Sequence, residues 1–300
     1  MVVLREERDT LLKEAGRVRD PQPDSGRPAA RGIRLLIDGA APGAWNMAVD
    51  EALMQAGRDG VVTVRFYRWD PPCLSLGRNQ AARAAFDPVR ARQHAVDIVR
   101  RPTGGRAIYH DRELTYAVTA PAELWGELRN AYARINAALA RGLTGLGVEV
   151  SRAPRLPAGR SPRPDSSACF RDPLPGELLA CGRKLVGSAQ WRDRGALLQH
   201  GSLLLVDQQR LTAEFRHPRA SSDAARSPAS GIRHPPSASI GLSELLSPLP
   251  GLETLIEALS HGFRRELGLP VEPARADSGE LAEARRLESR YRSFEWTWRR

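Results

Sequence analysis

Residues 95–120, AVDIVRRPTGGRAIYHDRELTYAVTA, decide the fold. AVDIVRR and RAIYH flank Pro102-Thr103-Gly104-Gly105, a tight connection between two strands, and ELTYAVTA (113–120) alternates as a third strand. Outward from there, Ile33, Leu35 and Ile37 alternate as a strand. WNMAVDEALMQAG (45–57) places Trp45, Val49, Ala52 and Leu53 on one helical face, and VVTVRFYRW (61–69) is a β-branched, aromatic strand stopped by Pro71-Pro72. The longest helical pattern is 122–147, with Trp125, Leu128, Tyr132, Ile135, Leu139 and Leu143 recurring at three or four residues. LLACGRKLVGSAQ reads as a hairpin turning at Gly182-Arg183, and ALLQHGSLLLV (196–206) as a further strand. LETLIEALSHGFRREL is a helix, and a second, charged helix leads to the tail YRSFEWTWRR. Strands outnumber helices, so the expected class is α+β, a mostly antiparallel sheet flanked by helices.

Three divisions are expected: a flexible extension over 1–31, a catalytic domain over 32–270 carrying a polar loop insertion at 216–238, and a C-terminal helix and tail over 271–300. Residues 151–167 read as a Pro/Ser/Arg-rich loop. No apolar run reaches the roughly 18 residues of a membrane span, and the charged N-terminus is unlike a signal peptide, so a cytoplasmic protein without membrane attachment is expected. Three cysteines with no CxxC pair exclude a disulfide scaffold, and six dispersed histidines offer no metal-ligand spacing. The net charge of +10 rests almost wholly on arginine, since Lys13 and Lys184 are the only lysines. That bias suits a GC-rich coding sequence, and the scattered arginines with 6% aromatic residues argue against nucleic acid as a partner.

Among the cysteines, Cys73 in PPCLSLG and Cys181 before its turn suit small buried apolar residues. Cys169, in SSACFRDPLPGE beyond a polar loop, suits a reactive thiol. Lys184 survives where almost every other cation is arginine, which points to a need for a compact ammonium. An ammonium within about 4–6 Å lowers a thiol pKa by about 1–3 units, making most of it nucleophilic at neutral pH. Such a dyad would store an acyl group as a thioester. The Gly104-Gly105 step allows positive φ and close approach of a ligand to the backbone, or is an ordinary hairpin with arginines outside. His110 and Asp111, adjacent on a strand, point to opposite faces and make a poor acid–base pair.

RRPTGGRAIYHDRELTYAV (100–118) resembles the Arg-Arg-x-x-Gly-Gly…His-Asp signature of the lipoate–protein ligase, biotin–protein ligase and octanoyltransferase superfamily. SSACFRDPLPGELLACGRKLVGSAQWRDRGALLQHGSLLL (166–205), NMAVDEAL (46–53) and YRSFEWTWR resemble its octanoyltransferase branch. The resemblance implies a fold like class II aminoacyl-tRNA synthetase cores, with an acyl pocket between the 100–111 loop and the Lys184 hairpin. Cys169 would carry the acyl thioester and Lys184 would lower its pKa. Arg101, Thr103, Gly104, Gly105, Arg106, Ala107, His110 and Gly187 would bind substrate. Octanoyl-acyl carrier protein would be the donor and a lipoyl-domain protein, the glycine cleavage H protein or an E2 subunit, the acceptor. Arg106 stands where ATP-dependent ligases carry a third glycine, so no ATP, Mg²⁺ or other cofactor is expected. The expected assembly is a monomer. An amidotransferase between lipoyl domains, an ATP-dependent lipoate ligase and a non-catalytic acyl-binding module remain the alternatives.

Overall fold

The computed structural model describes residues 30, 32–57, 60–154, 174–217 and 238–300. The expected N-terminal extension, Cys169, and nearly all of the 151–167 loop and the 216–238 insertion lie outside them.

Burial on both faces makes two strands the centre of the fold. Every residue of β6 (Glu113–Pro121) and β10 (Ala196–Leu204) is buried, and the two pair antiparallel. They anchor an eight-stranded sheet with β1 (Ile33–Ala41), β2 (Val62–Trp69), β7 (Ser151–Arg152), β8 (Leu178–Ala180), β9 (Arg183–Asp193) and β11 (Val271–Pro273). The order is β11-β1-β2-β6-β10-β9-β8-β7, parallel where β1 meets β2 and β11, antiparallel elsewhere. A second sheet, β4-β3-β5, is built from β3 (Cys73–Leu76), β4 (Asp97–Arg100) and β5 (Ile108–His110).

Side-chain alternation divides the core. Leu114, Tyr116, Val118 and Ala120 of β6 pack under α3 (Leu128–Gly145) and α4 (Leu252–Leu267), with Ile135, Leu139, Leu259 and Phe263. On the other face, Ala117 and Leu198 meet Met47, Val49 and Leu53 of α1 (Gly43–Ala56), behind which lies α5 (Ser278–Arg292). A short α2 (Pro88–Gln93) and α6 (Phe294–Thr297) complete the helices. Among the described residues no helix is long and apolar enough to cross a membrane.

Four readings of the sequence are corrected. The strands flanking Pro102–Gly105 do not form a hairpin, because β3 lies between them. The long helix begins at Leu128, so Trp125 precedes it while still packing in the core. The β8–β9 turn is Cys181-Gly182, with φ of 49° and 71°, and Arg183 already opens β9. Two successive positive φ values are what a twisted two-residue hairpin demands. That places Cys181 at an exposed turn rather than in the core, whereas Cys73 is buried as expected.

β9 and β10 approach closely at Gly201. A Cβ there would meet the Gly187 carbonyl at 2.2 Å and Tyr116 Cε1 at 2.8 Å. Gly201→Ala is therefore expected to destabilise the fold by about 1–3 kcal/mol in urea unfolding, the usual penalty for overpacking.

Candidate active site

A small cavity, open on one side, lies between the two sheets, on the α1 side of the large one. Its floor is Tyr67, Trp69, Thr115, His200 and Ser202, which share one face of β2, β6 and β10 by alternation. The small sheet supplies Ser75, Ile108 and His110, the connection from β4 to β5 adds Arg101 and Gly105, and Met47, Gly187, Ala189 and Leu174 close the sides.

Two buried polar relays serve this cavity. In the first, His200 Nδ1 donates to Asp50 Oδ2 at 2.8 Å, leaving Nε2 to accept from the Thr103 hydroxyl at 2.7 Å. Burial raises the Asp50 pKa, but the bonds from His200 and the charge of Arg65 outweigh it and hold the carboxyl below its ordinary value. Arg65 Nη1 reaches Asp50 Oδ1 at 2.7 Å, and Tyr67 donates to Oδ2 at 2.9 Å. In the second, His110 Nδ1 donates to Glu113 Oε1 at 2.7 Å and Nε2 accepts from Ser75 at 2.7 Å. Ser202 and Thr115 also donate to Glu113 Oε1, and the Trp69 ring stacks on His110 at 4.0 Å.

Burial pushes the His200 imidazole below its ordinary value, against the pull of Asp50. An unfolded histidine takes up a proton near pH 6.5, which the folded one refuses until lower pH. Stability is therefore lost as pH falls below about 6.5. Urea unfolding at pH 7.5 and 5.5 is expected to show this loss, and His200→Gln to reduce its slope.

The expected substrate residues separate into distinct positions. Arg101, Gly105, His110 and Gly187 face the cavity. Arg101 also braces the loop, donating to Ser75 O and Oγ, Gly104 O and Arg106 O. Gly105 has φ 96°, and its carbonyl lies so near Gly77 that a Cβ there would sit 1.9 Å from it. Thr103 lies behind the cavity on His200, Gly104 and Arg106 contribute carbonyls to Arg101, and Ala107 packs with Leu74, Leu76 and Phe86.

Lys184 is fully buried on β9 and does not face the cavity. Its Nζ lies 2.7 Å from Glu177 Oε1. Burial raises the Glu177 pKa, opposed chiefly by the Lys184 charge. Glu177 Oε2 accepts from the Leu174 amide at 2.7 Å. Leu174 is a cavity wall and lies five positions after Cys169. The Lys184–Glu177 pair thus fastens the chain just beyond the expected nucleophile.

Sequence reasoning missed Glu177, Asp50, Glu113 and His200. A histidine inside the apolar run LLQHGSLLL was a usable signal, because a buried imidazole requires partners. Asp50 lay in NMAVDEAL, where Asn46 and Asp50 share one helical face and both engage Arg65.

Comparison with known proteins accords with this architecture. Octanoyltransferase LipM of Kyrpidia tusciae is 40% identical over 276 residues, covering 89% of this chain and 98% of that protein. Octanoyltransferase LipM of Bacillus subtilis is 34% identical over 277 residues, with coverage of 89% and 98%. The structure of lipoate-protein ligase A bound with ATP superposes with a TM-score of 0.70 at 21% identity, over 89% of this chain and 98% of that one. A bipartite lipoate protein ligase of Thermoplasma acidophilum, described with its E2 lipoyl domain, gives 0.70 at 20% identity, over 89% and 96%. At such identities these two structures speak to the fold, a lipoate-protein-ligase-like α+β architecture. The lipoyl protein ligase A/B catalytic domain family matches residues 42–264, and on that match and its relatives the chain belongs to this family.

Proposed function

We propose that this protein is an octanoyltransferase that moves an octanoyl group from acyl carrier protein, through a Cys169 thioester, to a lysine of a lipoyl-domain protein. The observation that carries the reading is the 40% identity to octanoyltransferase LipM across 98% of that protein's length. The apolar cavity between the sheets, walled by the signature loop and by Leu174, supports it with a place for the acyl chain.

In the first step the Cys169 thiolate attacks the thioester carbonyl of the donor. A new C–S bond forms, the bond to the carrier's pantetheine sulfur breaks, and the released thiolate takes up a proton. In the second step a lysine amine attacks the acyl-enzyme, the C–N bond forms, and Cys169 leaves as thiolate while the amine gives up its proton. Thioester exchange is nearly neutral in energy, so positioning and stabilisation of the oxyanion suffice for the first step. Amide formation makes the second downhill. On this reading Lys184 acts with Glu177, whose Oε2 accepts from the amide of Leu174, five positions after the thiol in sequence.

The test is a comparison of donors. Octanoyl-acyl carrier protein is expected to octanoylate a lipoyl domain without ATP, and with ping-pong kinetics. Transfer that requires free octanoate and ATP would instead identify a ligase. Faster transfer from an octanoylated lipoyl domain than from the carrier would identify an amidotransferase.

A further inference from the structure

A second concavity lies further along β9 from the active-site cavity and is lined mainly by charged side chains. It has a volume of about 300 Å³, and its walls include Arg78, Arg194, Arg286 and Arg290, the carboxylates of Glu51 and Asp193, and the indoles of Trp191 and Trp296. Arg78 Cζ lies 4.8 Å from the centre of the Trp191 ring. Arg290 and the neighbouring Arg299 lie 4.6 and 4.1 Å from Trp296. The aromatic faces thus fix guanidinium groups around one space.

These cations are incompletely compensated. Arg290 pairs with Glu51, Arg286 with Glu283 at 2.6 Å, and Arg194 with Asp193 at 3.9 Å. Among the described residues Arg78 and Arg299 pair with no carboxylate; Arg78 Nη1 donates only to the Pro102 carbonyl, at 3.3 Å. The Nε groups of Arg290 and Arg299 are buried without an acceptor. Crowding is felt nearby, where burial first, and then the charges of Arg299, Arg101 and Arg300, bring the Arg100 guanidinium down to about 10.

The cleft is joined to the cavity by one strand. Gly187 and Ala189 line the cavity and Trp191 and Asp193 line the cleft, all on the same face of β9. From Gly187 to Asp193 is about 20 Å of extended chain. Pro102, which also lines the cleft, belongs to the signature loop.

We infer that this cleft binds a phosphodiester, and that on the proposed function its occupant is the phosphate of the pantetheine arm that carries the acyl group. An arm extended along β9 would then deliver its thioester to the cavity while its phosphate stays among the arginines. Guanidinium groups suit the task because they grip phosphate through two parallel N–H bonds. The indole faces suit the arm's branched hydrocarbon segment.

The experiment compares octanoyl-pantetheine, octanoyl-4′-phosphopantetheine and octanoyl-acyl carrier protein as donors to a lipoyl domain. Adding the phosphate to the free arm is expected to lower KM about tenfold to a hundredfold, the effect of a charge-assisted contact, with kcat nearly unchanged. In Arg78→Gln the two small donors should become nearly equal, in Arg78→Lys part of the difference should return, and in Arg129→Gln, an exposed arginine far along the chain, it should persist. Melting curves of all three variants establish that they fold. Equal KM values for the two small donors in the unaltered protein, or a difference that survives Arg78→Gln, would overturn this inference while leaving the octanoyltransferase reading intact. Failure of the carrier protein itself to serve as donor would overturn both.

Discussion

Cys169→Ala is expected to lower octanoyl transfer at least a thousandfold and to abolish the octanoyl adduct seen by mass spectrometry after incubation with octanoyl-acyl carrier protein. A nucleophile that forms the covalent intermediate has no substitute nearby in the chain's thiols. Cys73 is fully buried, and burial pushes its pKa well up; Cys181 sits at the tip of the β8–β9 turn. Neither faces the cavity. Losses of this size are usual when a covalent nucleophile is removed, because positioning and oxyanion contacts alone remain. Cys169→Ser should also lose the adduct, since serine lacks the low pKa of a sensitised thiol. An octanoyl adduct found on Cys181 or Cys73, or turnover surviving in Cys169→Ala, would end the proposed mechanism.

The second large effect concerns the Lys184–Glu177 pair. Both side chains are fully buried and 2.7 Å apart, so removing either one strands the other's charge in the interior. Glu177→Leu and Lys184→Met are each expected to destabilise the protein by about 3–5 kcal/mol. Removing both should be far milder, with a coupling of at least about 2 kcal/mol between them, because two well-packed apolar residues replace an ion pair at little net loss. Urea unfolding of the three variants measures this directly. The double variant then separates structure from chemistry. Although folded, it is expected to transfer octanoyl at least about a hundredfold more slowly, the consequence of a thiol pKa higher by about two units. Near-normal turnover in that variant would show that transfer needs neither the Lys184 ammonium nor the Glu177 bond to the Leu174 amide. Lys184→Arg must fit a longer, planar cation into a fully buried position, so a loss of stability is expected beside the loss of rate.

What the sequence made legible was what local patterning controls. The alternation of Ile33, Leu35 and Ile37, the aromatic strand at 62–69 and the apolar period of α3 all correspond to elements of the structure. So does the expectation of a mostly antiparallel sheet, since β6, β8, β9 and β10 are joined by antiparallel pairing. Local patterning could not show that β3 inserts between β4 and β5. That pairing joins Leu74 to both Ile98 and Tyr109, contacts separated by a helix and the signature loop. The hairpin was found but misplaced by one residue, because Cys181 adopts a positive φ that its side chain does not favour. The site followed the same division. Its motif residues were named through a resemblance, and of them Arg101, Gly105, His110 and Gly187 line the cavity, whereas the carboxylates that hold them had no such signal. Glu177 reaches Lys184 across a β8–β9 ladder whose register shifts between Leu178 and Leu179. Asp50 meets His200 over a separation of 150 residues.

The floor of the cavity is made of strands whose intervening side chains form the hydrophobic interior beneath α3 and α4. The shape of the cavity and the interior beneath α3 and α4 are thereby set by opposite sides of the same backbone. Ala189 lines the cavity and belongs to neither core, so lengthening it would reshape the well while Leu114, Val118 and Leu197 stay untouched, whereas Met47 is also packed in the core of α1 and trimming it would alter both.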